Sequence, residues 1–498
     1  MAGNTENPRN AQTYSRINDP LAKRPHEIAP DSLRTRECTG YENLSFGTSL
    51  GTQEATNGQA FQLNDDRFRH TAIIGRTGSG KSNLVHQMER EDIRNGAGMF
   101  VLAAHEEDAL YPLACVPEER LGDVVLLDFS NPAFLPRINP LDVDASDPLD
   151  RDKAVEDALE LLTTDNHFDW AGPRFEKMTR DGLSLLLRSP REEDHAIANL
   201  ARMYVEPEYV KELLKYCTDR HTFDQWVKLF PQAAKSSDNG ELVHWFSSKV
   251  SRFAHDHTLR HVFGPGHSTV NIADVVDRGK VLIAYVPEDR IGKRAARSIC
   301  KMLTMRLRDA IMGRASRCSG WTGLNLDLYR GSAQSHEEGL EPFFVYIDEF
   351  AKFATNDFEA LLAESRKQRV GFVLSFQTLS QTRTLDVRTG TVGSLEQAIL
   401  GNVGSFICYP MGEPDVRLLA DQLDVSATEL RWIRRYRPLA RLMQGNQPTS
   451  AAALAVGLAP EPDNPTAPRR VARSMVTSET WTKVDGGPVE EYLTALWV

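Results

Sequence analysis

The stretch from His70 to Val85 reads HTAIIGRTGSGKSNLV and decides the fold class. An apolar run, Thr71–Ile74, precedes a glycine-rich turn, and a helical pattern follows the turn. The turn contains Gly-x-x-x-x-Gly-Lys-Ser from Gly75 to Ser82, which is the Walker A pattern. A strand, a glycine-rich loop and a helix in this order predict a phosphate-binding loop.

Each residue type in this loop has a chemical task. Glycines let the backbone turn tightly and aim its N–H groups at an anion, and the following helix adds its positive dipole end. We expect Lys81 to reach the β- and γ-phosphates of ATP and the Ser82 hydroxyl to ligate Mg²⁺. The predicted nucleotide-binding residues are Gly75, Arg76, Thr77, Gly78, Ser79, Gly80, Lys81 and Ser82.

A nucleotide-hydrolysing core also needs carboxylates at the end of a second strand. The stretch FFVYIDEF supplies them, because the apolar run Phe343–Ile347 leads into Asp348 and Glu349. Ligands bind at the carboxyl ends of the strands in open α/β sheets, so we expect this pair beside the loop. Asp348 is predicted to hold the Mg²⁺ shell, and Glu349 to orient and deprotonate the attacking water.

Two more residues follow the acidic pair along the chain. Gln377 ends the next apolar run, FVLSFQ, and is predicted to sense the γ-phosphate within its own subunit; a solvated strand end is the alternative. Arg366 precedes that run in a basic cluster. We predict that it reaches the γ-phosphate of a neighbouring subunit, where it stabilises developing charge; a solvated helix face is the alternative.

The remaining pattern predicts an α/β fold, a RecA-like P-loop core with a mostly parallel sheet and helices on both faces. Between residues 144 and 263 the apolar residues recur at i, i+3 and i+4, which predicts an all-α domain inserted into the core. The predicted divisions are a polar, poorly ordered arm (1–59), the first core part (60–143), the all-α insertion (144–263), the second core part (264–456) and a linker with a tail (457–498).

The composition is that of a soluble globular protein, with 498 residues, 41% hydrophobic and 26% charged. No apolar run approaches the ~18 residues that span a bilayer, and the polar N-terminus is no secretory signal, so we expect a cytoplasmic protein. A net charge of −11 counts against a surface coated in basic residues for nucleic acid. A narrow basic channel remains compatible with it.

Several blocks together resemble a known superfamily. They are IIGRTGSGKS, Asn139-Pro140-Leu141, VYIDEF, ESRKQRVGFVLSFQTLSQ and GNVGSFICYPMGEPDVRLLADQL. From about Leu50 to Val456 the chain resembles the HerA/FtsK superfamily. More narrowly, it is similar to the conjugative coupling ATPases of type IV secretion, the TraG/TraD-like group with a TraM-recognition region.

The resemblance implies a function and a set of partners. It makes Asp348 and Glu349 the Walker B pair and Gln377 the motif at the next strand end, and it matches Arg366 to the arginine of the family's Gly-Arg-Lys segment. It further implies a homohexamer with ATP between subunits and DNA in a central channel, and relaxase or secretion-channel proteins as partners.

The sequence departs from the family pattern in two places. Many relatives follow the second strand with Asp-Pro-His/Lys-Gly-Asp, whereas Ala103–Glu107 reads AAHEE here, so the contribution of that acidic motif is altered. The membrane-anchoring N-terminal helices of the family have no counterpart. We therefore expect no direct transmembrane anchor: the protein either reaches the inner face of the membrane through a partner or acts without a membrane channel.

DNA contacts and the wider role stay open at this stage. The basic segments Arg290–Arg297, Arg306–Arg317 and Arg431–Arg441 are candidates for gripping phosphates, although charged helix faces are usually solvated. Trp432 and Tyr436 can stack on bases or pack within the protein. The favoured function is a DNA-pumping ATPase. A soluble HerA-like translocase in repair or defence and an ATP-gated platform that recruits protein cargo are the alternatives.

Overall fold

The computed structural model describes residues 14–15, 33–34, 48–53, 59–164, 172–233, 237–318, 340–355, 357–382, 385–386, 391–392, 395–445, 447–477 and 482–483. These residues fall into two compact units. The first lies within Met1–Val124, Ala273–Ala284 and Arg308–Pro468, and the second within Val125–Ile272, Tyr285–Leu307 and Arg469–Val498. Most of the predicted arm, and most of the tail after Thr477, lies outside the described residues.

The regular elements alternate along the chain. The strands are Tyr14–Ser15, Leu33–Arg34, Thr48–Gln53, Gln59–Gln62, Thr71–Ile74, Gly98–Ala103, Val124–Asp128, Phe134–Leu135, Val281–Tyr285, Phe343–Ile347, Val370–Phe376, Leu385–Asp386, Thr391–Val392, Ser405–Cys408, Leu439–Arg441, Met443–Gln444, Gln447–Pro448, Ala452–Ala455 and Thr482–Lys483. The α-helices are Asn64–Arg67, Lys81–Arg94, Glu106–Ala114, Pro148–Thr164, Pro173–Leu186, Asn199–Val205, Pro207–Leu214, Arg220–Ala233, Ser237–Val250, Arg252–His255, His257–Val262, Ile272–Asp277, Glu288–Ile291, Lys293–Met312, Arg314–Cys318, Asp357–Glu364, Leu395–Asn402, Glu413–Leu423, Ala427–Arg431 and Ala467–Thr477. Short 3-10 helices lie at Glu118–Asp123, Glu192–Asp194, Phe350–Lys352, Ser365–Gln368 and Leu379–Thr382.

Parallel strands form the centre of the sheet in the first unit. Their order is Ser405–Cys408, Thr71–Ile74, Val370–Phe376, Phe343–Ile347 and Gly98–Ala103. All residues of these strands are buried, as expected for parallel strands covered on both faces. The predicted α/β fold with a mostly parallel sheet and helices on both faces is confirmed.

The sheet continues beyond Ser405–Cys408 through antiparallel strands. In order they are Leu439–Arg441, Ala452–Ala455, Thr48–Gln53 and Gln59–Gln62. The apolar pattern does not predict these strands, because they are short and rich in alanine, glutamine and threonine. Thr71–Ile74, the strand before the glycine-rich loop, therefore lies inside a mixed sheet and not at its edge.

A buried ion pair fixes the helix Lys81–Arg94 against the sheet. The Arg67 guanidinium donates to both carboxylate oxygens of Asp92 at 2.7 Å, and the Tyr346 hydroxyl donates to Asp92 Oδ2 at 2.6 Å. All three side chains are buried. Because removing one partner would leave a buried charge unpaired, this contact holds the helix in one position relative to Phe343–Ile347.

The segment predicted as a linker packs on the same helix. Asn83 and Gln87 donate to the carbonyl oxygen of Gly457 at 2.5 and 2.7 Å, and Arg90 pairs with Asp463 at 2.7 Å. Proline-rich composition excludes helix and strand here, but an extended segment still binds through its carbonyl groups. We call residues 457–464 the strap.

The second unit is mainly helical. Its described elements from Pro148 to Val262 are α-helices and one 3-10 turn, and the unit also includes residues 125–143 and 285–307. Asn139, from the Asn-Pro-Leu tripeptide, donates to the carbonyl oxygens of His195 and Gly266 at 3.0 Å, and accepts from the Leu141 N–H. This buried amide ties three segments of the unit together. Among the described residues, no helix has the length and apolar composition needed to cross a bilayer.

Candidate active site

The glycine-rich loop is anchored to the strands on both sides of it. The Gly75 N–H donates to the Phe376 carbonyl at 3.1 Å, and the Arg76 N–H donates to the Pro410 carbonyl at 2.8 Å. Gly78 and Gly80 have φ angles of 72° and 111°, which side chains with a Cβ rarely adopt. The loop therefore turns tightly at the carboxyl end of Thr71–Ile74, where the helix Lys81–Arg94 begins.

Lys81 lies over the concave side of this loop. Its Nζ donates to the carbonyl oxygens of Gly75 at 2.7 Å and Arg76 at 3.2 Å. Burial lowers the pKa of Lys81, while the negative charges of Asp348 and Glu349 oppose that shift. The ammonium is thus a poorly solvated positive charge, which makes a phosphate oxygen a favourable partner.

Ser82 and Asp348 are hydrogen-bonded to each other beyond the carboxyl ends of two strands of the sheet. The Ser82 hydroxyl donates to Asp348 Oδ2 at 2.6 Å, and Asp348 Oδ1 accepts from the Glu349 N–H at 2.9 Å. A hydroxyl oxygen and a carboxylate oxygen side by side fit Mg²⁺, which prefers oxygen ligands and shares them with substrate phosphates. The predicted pair of metal ligands therefore lies together in space.

Glu349 is the centre of a polar network. Gln377 Nε2 donates to Glu349 Oε1 at 3.1 Å, while His105 Nε2 lies 3.3 Å from Oε2 and the Lys352 ammonium also pairs with Oε2. Burial alone would raise the pKa of Glu349, but Lys352 and His105 together hold it below its ordinary value. The carboxylate is consequently ionised, as a group that accepts a proton from water must be.

The altered segment Ala103–Glu107 contributes directly to this network. Its histidine, His105, is the residue that reaches Glu349, and it lies 57% exposed. Glu107 and Asp108 lie on the following helix and line the same cavity. The segment Ala103–Glu107 thus reaches the acidic pair through His105.

One cavity of about 350 Å³ brings most of the predicted site residues together. The predicted residues that line it are Thr77, Gly78, Gly80, Lys81, Ser82, Asp348, Glu349 and Gln377. The cavity is also lined by residues that no sequence motif predicts there: His86, His105, Asp108, Arg435, Tyr436 and Leu458. Two buried hydroxyls beside the loop, Ser79 Oγ and Ser375 Oγ, have no hydrogen-bond partner among the described residues.

Arg366 lies at the amino end of a parallel strand, whereas the glycine-rich loop lies at the carboxyl ends of these strands. Its 3-10 helix, Ser365–Gln368, precedes the strand Val370–Phe376, whose far end carries Gln377. Arg366 lines a second cavity of about 390 Å³ together with Arg69 and Arg441. Burial, and then the positive charge of Arg366, lower the pKa of Arg69. Within one chain, Arg366 is therefore separated from the glycine-rich loop by the length of a strand.

The basic segments have different environments. The arginines of Arg306–Arg317 are engaged internally: Arg308 pairs with Asp357, Arg317 pairs with Asp277, and the buried Arg314 donates to the Gln368 and Glu341 carbonyls. In Arg290–Arg297 the basic side chains are exposed. In Arg431–Arg441, Arg431 pairs with Glu413, whereas Arg435 and Tyr436 line the cavity beside the loop.

Comparisons with known proteins agree with this architecture. The family model described as the central domain of the helicase HerA matches residues 49–148. No curated protein sequence matches the chain. Among solved structures, VirB4 of Thermoanaerobacter pseudethanolicus is 16% identical with a TM-score of 0.53, and the match covers 83% of this chain and 97% of VirB4.

The plasmid coupling protein TrwB is similar as well. TrwB in complex with the non-hydrolysable GTP analogue GDPNP is 15% identical, with a TM-score of 0.52 over 90% of this chain and 98% of TrwB. TrwB in complex with ADP and Mg²⁺ is 16% identical, with a TM-score of 0.50 over 86% and 95% of the two chains. The chain therefore has a P-loop fold similar to that of VirB4 and of the coupling protein TrwB, and its residues 49–148 resemble the central domain of the helicase HerA.

Proposed function

We propose that the chain hydrolyses ATP to move DNA toward a type IV secretion channel, as a translocase of the coupling-protein type. The observation that carries this proposal is the convergence of Lys81, Ser82–Asp348 and Glu349–Gln377 at one edge of the parallel sheet. A lysine over an anion cradle, two oxygen ligands for Mg²⁺ and an ionised carboxylate are the parts that phosphoryl transfer to water requires.

In this proposal each side chain has one task. Lys81 binds the β- and γ-phosphates, and Ser82 and Asp348 would hold a Mg²⁺ ion, which would supply positive charge to stabilise the phosphates. Glu349 orients the attacking water and takes its proton, while Gln377, hydrogen-bonded to Glu349, reports whether a γ-phosphate is bound. DNA, a relaxase and the channel proteins are the proposed partners, in keeping with the coupling proteins of similar fold.

The assembly that we propose is a homohexamer with DNA in its central channel. The exposed basic side chains of Arg290–Arg297 are favoured as a contact for DNA phosphates. None of them forms an ion pair with a carboxylate of the described residues. The engaged arginines of Arg306–Arg317 are not proposed as a contact.

The proposed function is tested by nucleotide hydrolysis with and without DNA. We expect purified protein to hydrolyse ATP, and the rate to rise when single- or double-stranded DNA is added. The stimulation should weaken steeply with added salt, because phosphate contacts release counterions. Substituting all four basic residues Arg290, Lys293, Arg294 and Arg297 with glutamine should remove the stimulation and keep the basal rate. A hydrolysis rate that no DNA changes, but that a protein partner raises, would favour the cargo platform instead.

A HerA-type translocase in repair or defence is the second candidate function. The match of the HerA central-domain model to residues 49–148 favours it. The two candidates share the chemistry and differ in partners, so the genes beside this one separate them: relaxase and channel genes indicate transfer, and a nuclease gene indicates repair or defence.

Arg366 is proposed to act on the nucleotide of a neighbouring subunit. Arg366 lies at the end of the strands away from the loop, in a cavity lined by two other arginines. This position supports an action between chains. We expect Arg366→Ala to lower kcat about 100-fold, as loss of one donor to transition-state charge does. Nucleotide affinity should stay near that of the wild type, since the glycine-rich loop is untouched.

Mixed rings provide the decisive measurement for this arginine. Arg366→Ala subunits keep an intact loop, and Lys81→Ala subunits keep an intact arginine, so a mixture of the two proteins should hydrolyse ATP faster than either protein alone. Lys367→Ala, an exposed neighbour outside the cavity, is the matched control and should behave as the wild type. A mixture that stays inactive at every ratio contradicts an action between subunits.

A further inference from the structure

A short basic loop, Trp432–Arg437, lies against the glycine-rich loop of the same chain. The Tyr436 N–H donates to the Ser79 carbonyl at 3.2 Å, and a Cβ on Gly80 would lie 2.6 Å from Tyr436 Cδ1. A Cβ on Gly78 would lie 3.8 Å from Arg435 Nη2. The two side chains thus border the loop at two of its glycines.

Tyr436 is held there in a strained backbone. Its φ of 62° is in the left-handed region, which is unusual for a bulky aromatic residue. Besides the bond to Ser79, the Tyr436 carbonyl accepts from the Val456 N–H at 3.2 Å, and Arg437 N–H donates to the Arg434 carbonyl at 3.1 Å. Strain of this kind persists where the surrounding structure fixes it, and it clusters at ligand-binding sites.

Arg435 is a second cation that lines the cavity beside Lys81. Four carboxylates line it: Glu107, Asp108, Asp348 and Glu349. Within the described chain Arg435 is the one arginine in the lining, it makes no ion pair with a carboxylate, and its guanidinium carbon lies 4.7 Å from the centre of the Tyr436 ring. The aromatic face orients this exposed guanidinium beside the loop that would hold phosphates.

We propose that Arg435 and Tyr436 form a nucleotide clamp acting within their own subunit. Arg435 binds the phosphate chain of the nucleoside triphosphate, and the Tyr436 ring packs against the nucleoside. Leu458 of the strap lines the same cavity and is 82% exposed, so an apolar side chain is available to cover the nucleoside. This inference rests on the proposed function. It assigns to the nucleotide a segment whose basic and aromatic residues otherwise suggest a DNA contact.

Equilibrium binding of Mg-ADP and of a non-hydrolysable ATP analogue tests the clamp. We expect Arg435→Gln to weaken both affinities about tenfold, as loss of a hydrogen bond to a charged group does, and Arg435→Lys to restore part of the loss. Arg434→Gln is the matched control, since Arg434 is an exposed arginine of the same loop outside the cavity. Its nucleotide affinity should equal that of the wild type.

Tyr436→Asn tests the ring, because asparagine tolerates the left-handed backbone. It should weaken ADP binding and reduce the rise in Tm that ADP produces, while the Tm without ligand stays close to that of the wild type. Unchanged nucleotide affinity in Arg435→Gln, with weaker binding of a DNA oligonucleotide, would overturn the clamp and identify a DNA contact. If wild-type protein binds nucleotide, Lys81→Ala does not, and Arg435→Gln binds it as tightly as the wild type, the clamp alone fails. If wild-type protein binds no nucleotide, the proposed function fails with it.

Discussion

Lys81→Ala is expected to weaken ATP binding about 1,000-fold. The ammonium is buried over the glycine-rich loop, bonded to the Gly75 and Arg76 carbonyls, and it faces the place where phosphates are expected. Removing one partner of a desolvated charge pair costs several kcal/mol, which corresponds to this loss of affinity. Isothermal titration with Mg-ATP analogue would measure it.

The same substitution is expected to leave the unliganded protein folded. Burial lowers the pKa of Lys81, so the charged side chain is destabilised in the folded protein. Alanine removes this unfavourable desolvation free energy. The Tm without nucleotide should therefore stay near that of the wild type, and only the rise in Tm on adding ATP should disappear. Lys367→Ala, which removes an exposed lysine, is the control for charge alone. Near-normal affinity in Lys81→Ala would contradict the assignment of the loop.

The core strands follow from the sequence because their signal is local. Thr71–Ile74 and Phe343–Ile347 have the bounds of the predicted apolar runs, since each is a short apolar run closed by polar or turn residues. The antiparallel strands that extend the sheet carry no such run. Their pairing depends on neighbours far along the chain, as Leu454 and Gln53 illustrate.

The residues of the site also fall into those that a local motif predicts and those that only the fold brings together. The loop and the acidic pair are contiguous motifs whose residue types state their chemistry, so Lys81 and Asp348 are readable from the sequence. His105 and Lys352 become partners of Glu349 only in three dimensions. Tyr436 contacts the loop because its backbone lies in the left-handed region, which no local sequence pattern predicts. From the sequence alone, its segment is therefore a candidate DNA contact.

Glu349→Gln is expected to lower kcat about 1,000-fold and to keep ATP binding intact. The amide has nearly the shape of the carboxylate but accepts no proton from water, and general-base catalysis contributes within this range. The loop and the Ser82–Asp348 pair do not depend on Glu349 Oε2, so affinity should hold. The comparison of single-turnover hydrolysis with equilibrium binding separates the two effects.

The pH dependence of hydrolysis gives this carboxylate a second test. Because Lys352 and His105 hold the pKa of Glu349 below its ordinary value, the wild-type rate should persist as pH falls and drop only when that lowered pKa is reached. Lys352→Met removes the nearest positive charge, so the pKa of Glu349 rises and the acid limb moves to higher pH. Glu349→Gln should lose this limb altogether. Equal loss of binding and turnover in Glu349→Gln, or an acid limb that Lys352→Met leaves in place, would mean that another group takes the proton.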